Sequence, residues 1–308
     1  MLSSKIQSIV RPLRRSVGAL ALSALVVPMA ACNVDDDPVA PVALTITQTA
    51  QGSTQLSTLV SALTAAELTG TLNGAGPFTV FAPVNSAFAA LPADVVQRLL
   101  EPANRAILTK VLTFHVVPGR LTASQLQNGQ TLTTVEGTTL PVTVANGVVT
   151  VGGARVTTAD INASNGVVHL IDGVMLGSLD IVDNAIVRGF SSLVSAVTAA
   201  NLVAPLRGPN LTVFAPTNAA FAAIPGGAPT DAAVLAQVLQ LHVVGARALS
   251  TDLSNNQQLP TLLSGRSLTV GLTNGVRITG PRNFAQVVTP NVIAKNGVIH
   301  VIDTVLLP

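Results

Sequence analysis

Residues 78–88 read FTVFAPVNSAF, and residues 211–221 read LTVFAPTNAAF. A chain that writes one eleven-residue pattern twice, 133 positions apart, is set to build one local structure twice. The echo extends to three more blocks. LVSALTAAEL (59–68) returns as LVSAVTAANL (193–202), FHVVPGR (114–120) as LHVVGAR (241–247), and NGVVHLIDGVML (165–176) as NGVIHVIDTVLL (296–307). Their order is kept and their offsets are 134, 133, 127 and 131, so short insertions and deletions separate the copies. Such a period is a whole duplicated domain, since solenoid units repeat every ~20–50 residues. A chain of 308 residues has room for two domains, each with its own core.

Periodicity within the copies predicts an α+β fold, a helical N-terminal half packed on an antiparallel β-sheet or sandwich. Leu56, Leu59, Val60 and Leu63 recur at i, i+3, i+4 and i+7, one apolar helix face, as do Phe190, Leu193, Val194 and Val197. VTVANGVVTVGG (142–153) is Val/Thr-rich around an Asn-Gly pair, a hairpin signal, and LTVGLTNGVRITG (268–280) is its counterpart. The closing NGVVHLIDGVML block reads as a turn into a buried strand.

The repeated motif itself predicts a strand-to-helix corner. Phe81 and Phe214 lie in its strand, and Pro83 and Pro216 end that strand, because proline donates no ladder hydrogen bond. Asn85 and Asn218 are placed to N-cap the helices that follow. Phe88 and Phe221 fall on the first turn, within reach of the core.

The N-terminus reads as an address. Lys5, Arg11, Arg14 and Arg15 precede an apolar run, Val17–Val27, and then small residues before Cys32. The run is too short for a comfortable membrane span of roughly 20 residues, so residues 1–31 are expected to be an export signal. Met29-Ala-Ala-Cys32 resembles a bacterial lipobox, which implies lipidation of Cys32 and an anchor in the cell envelope, outer membrane or periplasmic face. The alternative is an ordinary cleaved signal beside an incidental cysteine. Residues 32–41, with Asp35, Asp36 and Asp37 followed by Pro38 and Pro41, read as a solvated tether rather than a calcium site. Domains are then expected at 42–177 and 178–308.

Composition removes other classes. Without residues 1–31, twelve basic residues face fourteen acidic ones, a net charge of −2. No Lys/Arg run remains to neutralise phosphates, so no nucleic-acid partner is expected. Eight Phe and no Tyr or Trp leave few stacking surfaces.

The ordered motifs resemble those of the fasciclin-like (fasciclin I-type) domain family: residues 79–88, 115–117 and 165–176 in the first copy, 212–221, 242–244 and 296–308 in the second. The resemblance covers nearly all of the chain beyond the tether. It implies membrane-tethered modules that mediate adhesion or protein–protein contact, without enzymatic activity or cofactor. Animal members often carry Tyr before the central His in a region associated with integrin contact. Here Phe114 and Leu241 stand there and no Arg-Gly-Asp occurs, so integrin binding is not supported.

Catalytic readings of the same residues are weak. Ser86 with His115 or His169 and Asp172 supplies the types of a nucleophilic triad, but Ala219 replaces Ser86 in the second copy. His169 and Asp172, like His300 and Asp303, are three apart on a strand and point to opposite faces. The pairs His115/His169 and His242/His300 lack neighbouring Cys or carboxylates at ligand spacing, so histidines bonded to backbone are expected instead of a metal site. The expected function is an envelope lipoprotein that binds a protein or an envelope or matrix polymer through two modules. The alternatives are a periplasmic protein for a small apolar ligand, which requires a well-formed apolar pocket, and an enzyme whose polar set, with Ser86 and Glu136, survives in one copy.

Overall fold

The computed structural model describes residues 43–308. Cys32, the expected export signal (1–31) and the whole expected tether (32–41) lie outside the described residues. Within them the duplication is visible in every α-helix and strand but α5, which has no helical counterpart in the second copy. The first copy runs α1 (Ile46–Gln51), α2 (Ser57–Ala65), α3 (Thr69–Leu72), β1 (Phe78–Pro83), α4 (Asn85–Ala89), α5 (Ala93–Leu100), α6 (Arg105–Phe114), β2 (Val116–Pro118), β3 (Thr131–Thr133), β4 (Thr139–Ala145), β5 (Val148–Val151), β6 (Ala154–Ala163) and β7 (Gly166–Ile171). The second runs α7 (Ile181–Val187), α8 (Ser191–Ala199), α9 (Val203–Leu206), β8 (Leu211–Pro216), α10 (Asn218–Ala222), α11 (Ala232–Leu241), β9 (Val243–Val244), β10 (Gln258–Pro260), β11 (Ser267–Gly271), β12 (Arg277–Thr279), β13 (Phe284–Ala294) and β14 (Gly297–Ile302).

Each copy forms a seven-stranded sheet, β2-β1-β7-β6-β5-β4-β3 and β10-β11-β12-β13-β14-β8-β9. The α+β class holds, but the sheets are mixed where an antiparallel one was expected. β1 pairs with β7, and β8 with β14, in parallel. Most of a domain's chain separates those partners, so no short turn constrains their direction, and both are buried on each face, as parallel strands require. The sheet curls until its edges nearly meet: Val135 N–H donates to Val116 O at 2.8 Å, and Leu262 N–H to Val243 O at 2.8 Å.

That curl divides each core in two. Strand alternation sends Phe81 into the interior of the curled sheet with Leu140, Val151 and Ile171, while Val80 and Ala82 face the helices with Leu59, Leu63 and Leu112. Phe214 and its neighbours Val213 and Ala215 split in the same way. The predicted helix face is observed: Leu56, Leu59, Leu63, Leu193 and Val197 are buried. The Asn146-Gly147 hairpin also forms, with φ of 50° and 77°, joining β4 to β5. Its counterpart differs. Gly271 pairs with Arg277, which leaves a five-residue connection, 272–276, around Asn274-Gly275.

One element belongs to both copies. Leu179 and Val187 pack in the first helix-facing core, Ile181 and Val182 in the second, and Ile186 packs against both. Helix α7 therefore closes one core with one side and opens the next with the other.

Candidate functional site

The corner motif is built as expected at its strand and differently at its asparagine. β1 ends at Pro83, which lies opposite Ile171, and Phe88 and Phe221 are buried against the helices. Asn85 and Asn218, however, do not cap their own helices. They are the first residues of α4 and α10, whose caps are Val84 and Thr217, and only Thr217 contributes a side-chain bond, to Ala220 N–H at 3.1 Å. Asn85 Oδ1 instead accepts from Thr58 N–H at 3.0 Å, while its Nδ2 donates to Thr54 O at 2.9 Å and Ser57 Oγ at 3.0 Å. Asn218 likewise accepts from Ser192 N–H at 3.1 Å and donates to Gly189 O at 2.8 Å. Each asparagine caps the first turn of the preceding long helix, α2 or α8, across the fold.

The four histidines are spent on the backbone. His115 Nδ1–H donates to Val111 O at 2.7 Å and its Nε2 accepts from Met175 N–H at 3.0 Å, which fixes the tautomer. His242 repeats this with Val238 O at 2.7 Å and Leu306 N–H at 2.9 Å. Burial lowers both rings to a pKa of about 4, against the weaker opposing effect of the carbonyl bond. His169 stacks on Phe81 with centroids 5.4 Å apart, donates to Leu121 O and accepts from Asp160 N–H. His300 stacks on Phe214 at 5.5 Å, donates to Ala248 O and accepts from Asn291 N–H; burial lowers its pKa too.

The remaining candidates are placed apart from these rings. Asp172 accepts from Arg155 N–H at 2.8 Å and Asp303 from Gln286 N–H at 2.8 Å, each on the strand facing its own. Ser86 is exposed. Glu136 pairs with Lys295 at 3.0 Å. No proton acceptor touches Ser86 among the described residues, and no group of three or more His, Cys, Asp or Glu there is placed to hold a metal ion. The motif residues are joints of the fold.

Two further joints were not singled out from sequence. Asn165 and Asn296, which open the last motif, each accept from the first helix of their domain, at Ile46 N–H and Ile181 N–H, both 2.9 Å. Each also donates twice to the α3–β1 or α9–β8 turn. Thr79 and Thr212, wholly buried in the corner strand, bridge the chain after β2 and β9 in the same manner. The signal was present, because all four recur in equivalent positions, but a repeated Asn or Thr does not name its partner.

A family profile for the fasciclin domain matches residues 54–177 and again 188–308. The chain belongs to the fasciclin-domain family. Among fasciclin-family relatives, Protein sll1483 of Synechocystis is 52% identical over 134 residues, covering 44% of this chain and 74% of that one. Transforming growth factor-beta-induced protein ig-h3 of Sus scrofa is 34% identical over 246 residues, 77% of this chain but 35% of its own length. Immunogenic protein MPB70 of Mycobacterium bovis is 33% identical over 154 residues, 48% of this chain and 74% of that one. A fasciclin domain pair from the insect cell adhesion molecule Fasciclin I aligns over 80% of this chain and 95% of its own, at 21% identity and a TM-score of 0.40.

In this fasciclin pair the junction is chemically built. Asp183 on α7, with a side chain 3% exposed, takes Lys110 of the first domain at 2.6 Å and Arg207 of the second at 3.2 Å. Arg207 also holds Asp180 at 2.6 Å. On the other side Lys295 N–H donates to Leu179 O at 2.8 Å while its ammonium holds Glu136. The equivalent of Asp183 on α1 is the exposed Gln48. An apolar cleft of about 40 Å³ lies between α7, α8, α9 and α11, lined by Ile181, Leu193, Val197, Leu206 and Leu239. That is far below the roughly 300–1,000 Å³ of ordinary small-molecule sites. No helix among the described residues is long and apolar enough to cross a membrane.

Proposed function

We propose that this chain is an exported lipoprotein, anchored through Cys32, whose two fasciclin domains, 42–177 and 178–308, bind a protein or an envelope or matrix polymer without catalysing a reaction or using a cofactor. The observation that carries the reading is how the chemistry-bearing residues are used. In both copies every histidine ring nitrogen is committed to backbone, and Asp172 and Asp303 cap strands. The copies share these joints while their exposed residues differ, as at Thr150 against Arg277 and Gly153 against Phe284. Fasciclin domains occur in extracellular and adhesion proteins, which supports an interaction role for the pair. A fixed junction then presents two surfaces at constant spacing, which raises avidity for a repetitive partner.

Two experiments test this. Crosslinking on intact cells should trap a macromolecular partner on the wild-type protein. Cys32→Ser should abolish labelling by a fatty-acid precursor and release the protein from membranes; unchanged labelling removes the anchor. The alternative reading, a periplasmic binding protein for a small apolar ligand, is not favoured by the cleft beside α7, which holds only about 40 Å³. That reading requires a small molecule that co-purifies and raises the melting temperature.

A further inference from the structure

Seven of the eight phenylalanines are buried or half-buried; Phe284 is 56% exposed, at the start of β13. Its ring carries a cation, Arg277, whose Cζ lies 5.2 Å from the ring centroid. Strand register explains the meeting. Ile278 and Ala285 pair with their side chains in the core, so Arg277 and Phe284, one residue to either side, stand on the outer face. Gln286 and Val288 continue that face along β13, and Val288 is 53% exposed.

Two more arginines flank it. The β10–β11 and β12–β13 connections leave the sheet at one end, because alternate antiparallel strands turn on the same side. Arg266 sits on the first connection and Arg282 on the second, both exposed. None of Arg266, Arg277 and Arg282 forms a salt bridge among the described residues. The carboxylate nearest in register, Asp303, is held by Gln286 N–H and the Thr304 hydroxyl.

The first domain serves as an internal control. At the equivalent strand positions it has Thr138 for Arg266, Thr150 for Arg277 and Gly153 for Phe284, and its β5–β6 turn lacks the segment that contains Arg282. Charge divides accordingly. Residues 178–308 hold seven basic and five acidic side chains, whereas 42–177 hold five and six. Packing does not require these differences, since the sheet forms in both domains.

We propose that the outer face of β10–β13 is a binding surface for an acidic polysaccharide, with Arg266, Arg277 and Arg282 pairing with carboxylate or sulfate groups and Phe284 giving an apolar platform to a sugar ring. Three facts fit this chemistry. The convex face is solvent-exposed at Arg277, Phe284 and Val288, as a polymer lying across it needs; guanidinium groups match carboxylates through two parallel hydrogen bonds; and the aromatic ring is already held by the arginine beside it. The proposal rests on the interaction reading above and names the ligand class for its second domain.

Affinity electrophoresis of the whole protein through gels containing polygalacturonate, heparin or neutral dextran tests it. The acidic polymers should retard the protein, added salt should release it, and dextran should have no effect. The double variant Arg277→Ala/Arg282→Ala, and separately Phe284→Ser, should each weaken retardation by about tenfold or more with an unchanged melting temperature. Thr150→Ala in the first domain should change nothing. Absence of retardation at low salt, retardation that survives the arginine variant, or binding to phosphatidylglycerol vesicles without polymer binding would each overturn the assignment. A protein partner trapped on cells alongside any of these results would leave the general interaction reading standing.

Discussion

Lys110 Nζ and Asp183 Oδ2 meet at 2.6 Å across the junction of the two domains, and the carboxylate is almost wholly out of water. An aspartate so buried is stable only because two cations face it, so the junction depends on charges from both domains. Asp183→Ala should destabilise the chain by roughly 1–3 kcal/mol, a range discounted because Lys110 and Arg207 are partly exposed. A double-mutant cycle with Lys110→Ala measures the coupling. Additive effects would show that the two residues do not support each other.

Acid should weaken the fold through its buried histidines, His115 and His242 foremost. His115 and His242 are held to about 4 when folded and return to about 6.5 when unfolded. Below pH 6.5 the unfolded chain therefore binds protons that the folded chain refuses, and stability falls as pH drops toward 4. Each ring should account for on the order of 3 kcal/mol over that interval, with no contribution above pH 7. Urea unfolding at pH 7.5, 6, 5 and 4.5 reads the slope. A flat profile would contradict neutral burial of the pair.

Asn218→Ala should cost about 1 kcal/mol by uncapping α8 rather than its own helix. Thr217→Ala, which uncaps α10, should cost a similar amount. Asn218→Asp keeps the acceptor for Ser192 N–H and should recover part of the loss. Hydrogen exchange separates the two origins: Asn218→Ala should speed exchange at the start of α8, and equal acceleration confined to α10 would restore the simpler local cap.

Gly166 and Gly297 lie where β7 and β14 pass their parallel neighbours. A Cβ at either would fall 2.0 Å from the carbonyl oxygen of Phe78 or Leu211. Gly297→Ala should therefore cost about 3 kcal/mol or more, because backbone rather than a flexible side chain must yield. Thermal unfolding measures it, and a loss below 1 kcal/mol would mean that the β8–β14 pairing can slide.

Much of the architecture was legible because it rests on local periodicity. The apolar stripe of α2, the Asn146-Gly147 turn and the buried run of β7 each follow from residues within one short window. The corner asparagines were not legible in role, since Asn85 finds Thr58 only after the helices pack. The direction of β1 against β7 was hidden for a similar reason: each strand looks the same whichever way its distant partner runs. The junction was hardest. Helices α1 and α7 share only Ile46/Ile181 and Ala50/Ala185, so Gln48 against Asp183 is one difference among several, and the meaning of Asp183 depends on a lysine 73 residues earlier in the chain. The exposed Phe284 was countable among eight phenylalanines but could not be distinguished from core ones by composition.

Helix α7 also sets an order of events as the chain emerges into the compartment where it folds. The first helix-facing core lacks Leu179 and Val187 until residues beyond the last strand of that domain have emerged. When they arrive, the opposite side of the same helix is already held in the orientation that Ile181 and Val182 need for the second core. Completion of one domain thus hands a formed template to the next, and the emerging chain matures vectorially, with less time spent exposing the apolar strands of both copies at once.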